Sequence, residues 1–226
     1  MRFINNSILY LLLASALIAS ALPGQAQTTT HGAEALLTNA LALKPDLKRG
    51  EAEFAELSCA RCHRKNAAGR AASDTPRLSG QHAAVIIKQV LDIRSGLRAN
   101  PPMQSWVTEE KLNLQSLSDI AAHLESLPLT SANAMGPGSG VARGKELFGK
   151  DCASCHGAAG EGNAAIFAPM VAAQHYTYLL RELKFIRDGQ RGNSNLAMAS
   201  LIKTYGQEDL QAVADYMAQL PAPQRR

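Results

Sequence analysis

Cys59-Ala60-Arg61-Cys62-His63 and Cys152-Ala153-Ser154-Cys155-His156 decide how this 226-residue chain is read, because they contain all four of its cysteines. Each is C-x-x-C-H, the attachment sequence of a c-type haem. The spacing has a mechanical reason. On a helical turn, side chains three apart share a face, so both thiols reach the two vinyl groups of one porphyrin edge while the next residue, histidine, comes under the iron. A four-cysteine zinc site fits less well: the pairs lie 93 residues apart and zinc has no use for the histidines. A thioredoxin-like C-x-x-C needs a β-α-β setting that neither neighbourhood offers. A disulfide framework belongs to chains too short to build a core. Cys59, Cys62, Cys152 and Cys155 are therefore expected to carry two covalently bound haem c groups, with His63 and His156 as proximal iron ligands.

A shift of 93 residues superimposes more than the motifs. It lays Pro76 on Pro169, Gln81-His82 on Gln174-His175, Ile93-Arg94 on Ile186-Arg187, Gly96 on Gly189, Arg98 on Arg191, Asn100 on Asn193 and Pro128 on Pro221. The chain is a tandem duplication. Each half closes on a helix with one apolar face, Leu117, Ile120, Ala121, Leu124 and Leu127 in the first and Leu210, Val213, Ala214, Met217 and Leu220 in the second. Each half also opens on a glycine four residues ahead of a phenylalanine, Gly50 with Phe54 and Gly144 with Phe148. Either the glycine admits close approach of the final helix, or the segment is an ordinary amphipathic helix. The predicted fold class is all-α: two tandem helical domains, residues 46–128 and 141–226, each wrapped around one haem and joined by a Gly-, Ser- and Pro-containing linker at 129–140. Domains this small have little core of their own, so the porphyrin is expected to act as a core element.

The amino terminus reads as a secretory signal peptide over residues 1–26. Arg2 precedes a 15-residue apolar run from Ile8 to Leu22, and Gly24-Gln25-Ala26 supplies the small residues of a cleavage site. That run is shorter than the roughly 20 residues a spanning helix needs. The mature chain is expected in the periplasm without a transmembrane anchor, with peripheral membrane association left open. Residues 27–45 form an extension in which Ala33 to Leu43 reads as a short helix. Its Leu36, Leu37, Leu41 and Leu43 either dock on their own domain or are offered to a partner. Composition, 46% hydrophobic and 19% charged, excludes disordered, collagenous and coiled-coil classes. The formal charge of +4 is spread thinly, with 12 basic and 11 acidic residues in 27–130 and 10 and 8 in 131–226. Neither half carries the basic stripe that nucleic acid requires.

The sixth iron ligand must lie downstream of each motif. Met103, in the Pro-rich stretch Arg98-Ala99-Asn100-Pro101-Pro102-Met103, is the one methionine between His63 and the end of the first half. The second half offers Met170, Met198 and Met217. Met217 takes the place of Leu124 in the apolar stripe and Met170 stands opposite Arg77, whereas Met198 follows the repeated Arg-x-Asn loop, displaced by two residues from strict register. Met198 is the reading preferred, and two residues of slippage in a loop cost little. Histidine ligation by His82 or His175 is the alternative, though both stand where a second long helix begins. Arg98 and Arg191, at matched positions, are candidates to pair with haem propionates. Trp106 and its counterpart Leu201 are expected to line the haem pockets.

The paired motifs, Leu78-Ser79-Gly80-Gln81-His82, the segments Arg94–Asn100 and Arg187–Asn193, and the methionines that follow resemble the di-haem cytochrome c4 family from about Lys48 to Leu220. The resemblance implies two class I cytochrome c domains related by a pseudo-twofold axis, with propionates facing each other across the domain interface. It implies axial pairs His63 with Met103 and His156 with Met198. It also implies passage of electrons in the periplasm from a quinol-oxidising complex to a terminal oxidase. An alternative is the electron-accepting cytochrome subunit of a periplasmic dehydrogenase, towards which the extra segment at 27–45 points. A di-haem enzyme, peroxidase or thiosulfate dehydrogenase, is disfavoured: six-coordinate irons leave no open position, and a cysteine-ligated iron needs a fifth cysteine. Outer-sphere electron transfer is what remains.

Overall fold

The computed structural model describes residues 23–129 and 133–223; the greater part of the predicted leader and the start of the linker lie outside the described residues. Among the described residues all regular structure is helical, apart from two isolated bridges, Arg70 with Thr75 and Asn163 with Ala168. The bridges occupy matched positions in the two halves. No helix among the described residues is long and apolar enough to cross a membrane.

The first helix, α1 (Pro23–Ala42), starts well ahead of the predicted Ala33 and runs through the predicted cleavage position after Ala26. Proline at the first helical position donates no amide that the helix would need, and Pro45 ends the run because the residue before a proline avoids helical geometry. The leucine pattern marked only the part that docks. Ala40 is fully buried, and Leu36 and Leu37 pack on the core of the first half against its long helices. Leu41 stays exposed, contrary to expectation. The helix is thus docked on its own domain.

The first half continues through α2 (Leu47–Glu56), α3 (Ala60–His63), α4 (Ala83–Arg94), α5 (Pro101–Gln104) and α6 (Leu114–Ser126). The second repeats it with α7 (Val141–Leu147), α8 (Ala153–His156), α9 (Tyr176–Arg187), α10 (Leu196–Ile202) and α11 (Gln207–Gln219). Asp46 caps α2 by accepting from the Lys48 and Arg49 amides, and Asn113 caps α6 through the Ser116 amide. The opening helix of each half crosses the closing one. A Cβ on Gly50 would run into the Asp119 backbone of α6, and one on Gly144 into the Ala212 backbone of α11. Glycine is what allows the contact, as the first of the two sequence readings has it. Beside each contact an aromatic ring packs on the closing helix, Phe54 on His123 (centroids 6.3 Å apart) and Phe148 on Tyr216 (5.4 Å).

Between phenylalanine and first cysteine the halves differ by one residue, five steps from Phe54 to Cys59 and four from Phe148 to Cys152. The first half unwinds there, with Ser58 at a φ of 61°. In the second the chain stays helical and widens into a π-helical turn over Phe148–Cys152. Either way the cysteine enters its one-turn helix beside the core.

Candidate haem sites and the interface between them

In both halves the C-x-x-C-H residues form one turn of helix, with the first cysteine at its start and the histidine at its end. No disulfide joins the four cysteines; Cys59 and Cys152 are half-buried, while Cys62 and Cys155 face solvent. Burial pushes the Cys59 and Cys152 thiols up to about 11, so both stand as neutral thiols. His63 and His156 are buried. His63 Nδ1 donates to the Pro76 carbonyl (3.1 Å) and His156 Nδ1 to the Pro169 carbonyl (2.9 Å). Burial lowers both imidazoles below the ordinary histidine value, against the opposing pull of those carbonyl bonds. With the proton fixed on Nδ1, Nε2 keeps its lone pair, the tautomer and orientation an iron ligand needs. Two thiols and a neutral, pre-oriented imidazole per half fit a covalently held haem. Among the described residues no three His, Cys, Asp or Glu side chains converge on a separate metal position.

One backbone feature separates the two turns. Gly157, after the second motif, has φ 79° and ψ 153°, a combination close to exclusive to glycine. The first half puts Arg64 there, at φ 67° and ψ 161°. A side chain in that region costs on the order of 1–3 kcal/mol.

Met103 and Met198 both sit half-buried at the edge of their half's core. Met103 lies on the single turn of α5, because Pro101 and Pro102 occupy its first positions, where proline suits a helix. Of the other methionines in the second half, Met217 is 4% exposed within the α11 core, and Met170 is 6% exposed with its backbone engaged across the interface. Leu201 packs on the second core. Trp106 is exposed beneath the Lys111 ammonium, 5.4 Å from the ring.

His82 and His175 open α4 and α9 as the sequence suggested, yet their rings serve the interface. His82 Nε2 donates to the Glu161 carbonyl (2.9 Å) and His175 Nε2 to the Ala68 carbonyl (2.8 Å), matched atoms in opposite halves. The preceding glutamines do the same. Gln81 Nε2 donates to the Met170 carbonyl (3.0 Å) while its Oε1 accepts from the Met170 amide (2.9 Å). Gln174 Nε2 donates to the Arg77 carbonyl (3.0 Å) and its Oε1 accepts from the Arg77 amide (2.9 Å). Sequence reasoning missed this reciprocal clamp, although the repeated Gln-His pair was its signal.

Arg98 and Arg191 are brought together at the same interface. Both donate to Glu182 Oε2, at 2.9 and 2.7 Å, and both to Gln89 Oε1, at 3.0 and 2.9 Å. Arg98 Nη2 also donates to the Tyr178 hydroxyl (3.1 Å), and Arg181 donates to Glu182 Oε1 (2.8 Å). Burial works to raise the Glu182 carboxyl, but Arg191, Arg98 and Arg181 outweigh it and hold the group below the usual carboxylate range.

Two helical halves, each presenting paired thiols and an oriented imidazole, define a two-domain c-type cytochrome. Family models agree: residues 141–221 match cytochrome c, and residues 45–124 match cytochrome c oxidase, cbb3-type, subunit III. The chain is 37% identical to the thiosulfate dehydrogenase electron acceptor of Stutzerimonas stutzeri, over 75% of this chain and 82% of that protein. It is 32% identical to cytochrome c4 of Pseudomonas aeruginosa, over 76% and 87%. In fold it follows reduced recombinant cytochrome c4 from Pseudomonas stutzeri, with a TM-score of 0.70 at 24% identity over 79% of this chain and all of that one. The chain belongs to the di-haem cytochrome c4 family and carries two covalently bound haem c groups. Its function is electron transfer.

Proposed function

We propose that this cytochrome is the electron-accepting partner of a periplasmic dehydrogenase, with a thiosulfate-oxidising enzyme as the partner to test first. The single observation that carries the reading is its 37% identity, across 82% of that protein, to a cytochrome named as the electron acceptor of thiosulfate dehydrogenase. Export by the leader at residues 1–26 belongs to the same reading. A second reading, a carrier from a quinol-oxidising complex to a terminal oxidase, draws on the cytochrome c4 relative.

Each bound haem supplies a one-electron iron couple. The chain's part is to hold that iron rigidly and shield it. In this proposal Cys59 with Cys62 and Cys152 with Cys155 would make the thioether links, and His63 with Met103 and His156 with Met198 would ligate the irons. The Pro76 and Pro169 carbonyls fix the imidazoles, which limits reorganisation when the charge changes. A methionine thioether as the second ligand would favour the reduced metal and leave no coordination position for a substrate. Arg98 and Arg191 are proposed as propionate contacts made by guanidiniums that Glu182 and Gln89 already hold in place.

The test is stopped-flow reduction of the oxidised holoprotein by thiosulfate dehydrogenase with thiosulfate, compared with reduction by a quinol-oxidising complex. Rapid thiosulfate-dependent reduction is expected only when the dehydrogenase is present. Reduction by the quinol-oxidising complex alone would favour the second reading. Turnover of thiosulfate by the cytochrome unaided, or carbon monoxide binding to its intact reduced form, would make it an enzyme. Met198→Ala should abolish one of the two near-infrared sulfur-to-iron bands and lower one potential while leaving the other in place.

A further inference from the structure

The charges around the two attachment turns are unlike. Arg61, Arg64, Lys65 and Arg70 surround the first, and no acidic residue lies between Glu56 and Asp74. The matched positions of the second half hold Ser154, Gly157, Ala158 and Asn163, and Glu161 is the one charged residue from Cys152 to Asn163. All four basic side chains are exposed, as is Cys62 between them. Arg70 Nη2 donates to the Arg61 carbonyl (3.5 Å), which ties the far end of the cluster to the motif. Among the described residues none of the four forms an ion pair. The interface arginines Arg98, Arg181 and Arg191, by contrast, all meet Glu182. The balance of charge over each half conceals this local concentration.

Arg64 adds a second, independent observation. It keeps a long cationic side chain at a backbone geometry where the repeat uses glycine. Packing does not explain its presence, since the side chain is exposed. A strained residue retained without a structural task points to recognition.

We propose that the edge of the first domain around Cys62 is a docking surface for an acidic patch on a redox-protein partner, held by Arg61, Arg64, Lys65 and Arg70. The proposal rests on the electron-transfer reading and gives that partner its surface chemistry. Docking opposite charges over the exposed thioether side brings the partner's centre towards the first haem. One electron crosses in the direction the two potentials set, with no bond made or broken and no proton moved. The second domain lacks such a cluster, so the two halves select different partners.

The test replaces the four residues with those of the second half, Arg61→Ser, Arg64→Gly, Lys65→Ala and Arg70→Asn, in the holoprotein. The same local fold already accommodates those residues, and a cooperative thermal melt at or above the parent's temperature checks that it still does. Reduced flavodoxin, an acidic one-electron donor, is mixed with parent and variant across a range of ionic strength. Parent rates are expected to fall steeply with salt, and the variant to be slower by about tenfold or more at low salt, with the two converging at high salt. Reduction by hexaammineruthenium(II), a cation, should be no slower in the variant. Equal flavodoxin rates in parent and variant would overturn the proposal. So would equal rates accompanied by loss of binding to phosphatidylglycerol vesicles, which would make the cluster a membrane contact. Failure of the dehydrogenase reading looks different: no thiosulfate-dependent reduction in parent or variant, whatever flavodoxin does.

Discussion

In the first half Gln89 accepts hydrogen bonds from Arg98, Arg191 and Asn193; in the second, the matched Glu182 accepts from Arg98, Arg191 and Arg181. The positions are equivalent and the donors nearly so, but one acceptor is neutral and the other charged. The same division runs through the molecule. Residues that hold the attachment turns and cross the helices are duplicated: the imidazole-to-carbonyl bonds, the crossing glycines, the Gln-His clamp. Several charged residues around them are not, as Arg64 against Gly157 and Glu182 against Gln89 show. Packing demands are thus common to both halves, while charge is free to differ between them.

Breaking the shared part should have the largest effect. Gly144→Ala forces a methyl into the Ala212 backbone, and backbone cannot rotate away as a side chain can. A loss of about 3 kcal/mol is expected, at the upper end for overpacking, with Gly50→Ala costing about the same. Denaturant melts of the two holoprotein variants would measure it. A cost confined to one variant would show that the two crossings are not equivalent.

Glu182→Gln restores symmetry at the interface and should cost about 2 kcal/mol, the scale of charge-assisted hydrogen bonds in a buried setting. It should also change the response to acid. The folded carboxyl is held below its unfolded value, so its contribution is complete above the unfolded value and is lost as pH falls through the lowered folded one. In melts recorded at descending pH, the gap between parent and variant should therefore begin to narrow near pH 4, about the ordinary glutamate value, and close only below the lowered folded value. A gap that persists there would mean Glu182 acts through shape alone.

Arg64→Gly sharpens the comparison with the smallest change. Relief of backbone strain, on the order of 1–3 kcal/mol, is opposed by glycine's greater freedom in the unfolded chain, about 1 kcal/mol. A small gain in melting temperature is expected. A marked loss would show that the arginine side chain has a structural task.

Much of this was legible in the sequence because it is local or repeated. The C-x-x-C-H spacing, the duplication and the Gly50/Phe54 and Gly144/Phe148 pairs read directly into one-turn helices and close crossings. The clamp left the repeated Gln-His pair as a signal, but its partners were not legible. Gln81, Gln174, His82 and His175 bond backbone atoms in the opposite half, and a carbonyl leaves no mark in a sequence. The start of α1 was misplaced because apolar periodicity marks the docking face rather than the helix. The one-residue difference before the cysteines was countable, but whether a chain meets it with a left-handed serine or a π-helical turn depends on packing.

The clamp has the form of an isologous contact, in which a patch meets its own counterpart, as in a homodimer. A homodimer, however, would receive every substitution twice. A carboxylate at position 182 would then face a second one at position 89, and an arginine at 64 would appear on both faces. Carrying the two copies on one polypeptide removes that constraint, and the tether keeps them at high effective concentration while their surfaces diverge. The linker is therefore what permits one copy to specialise without the other.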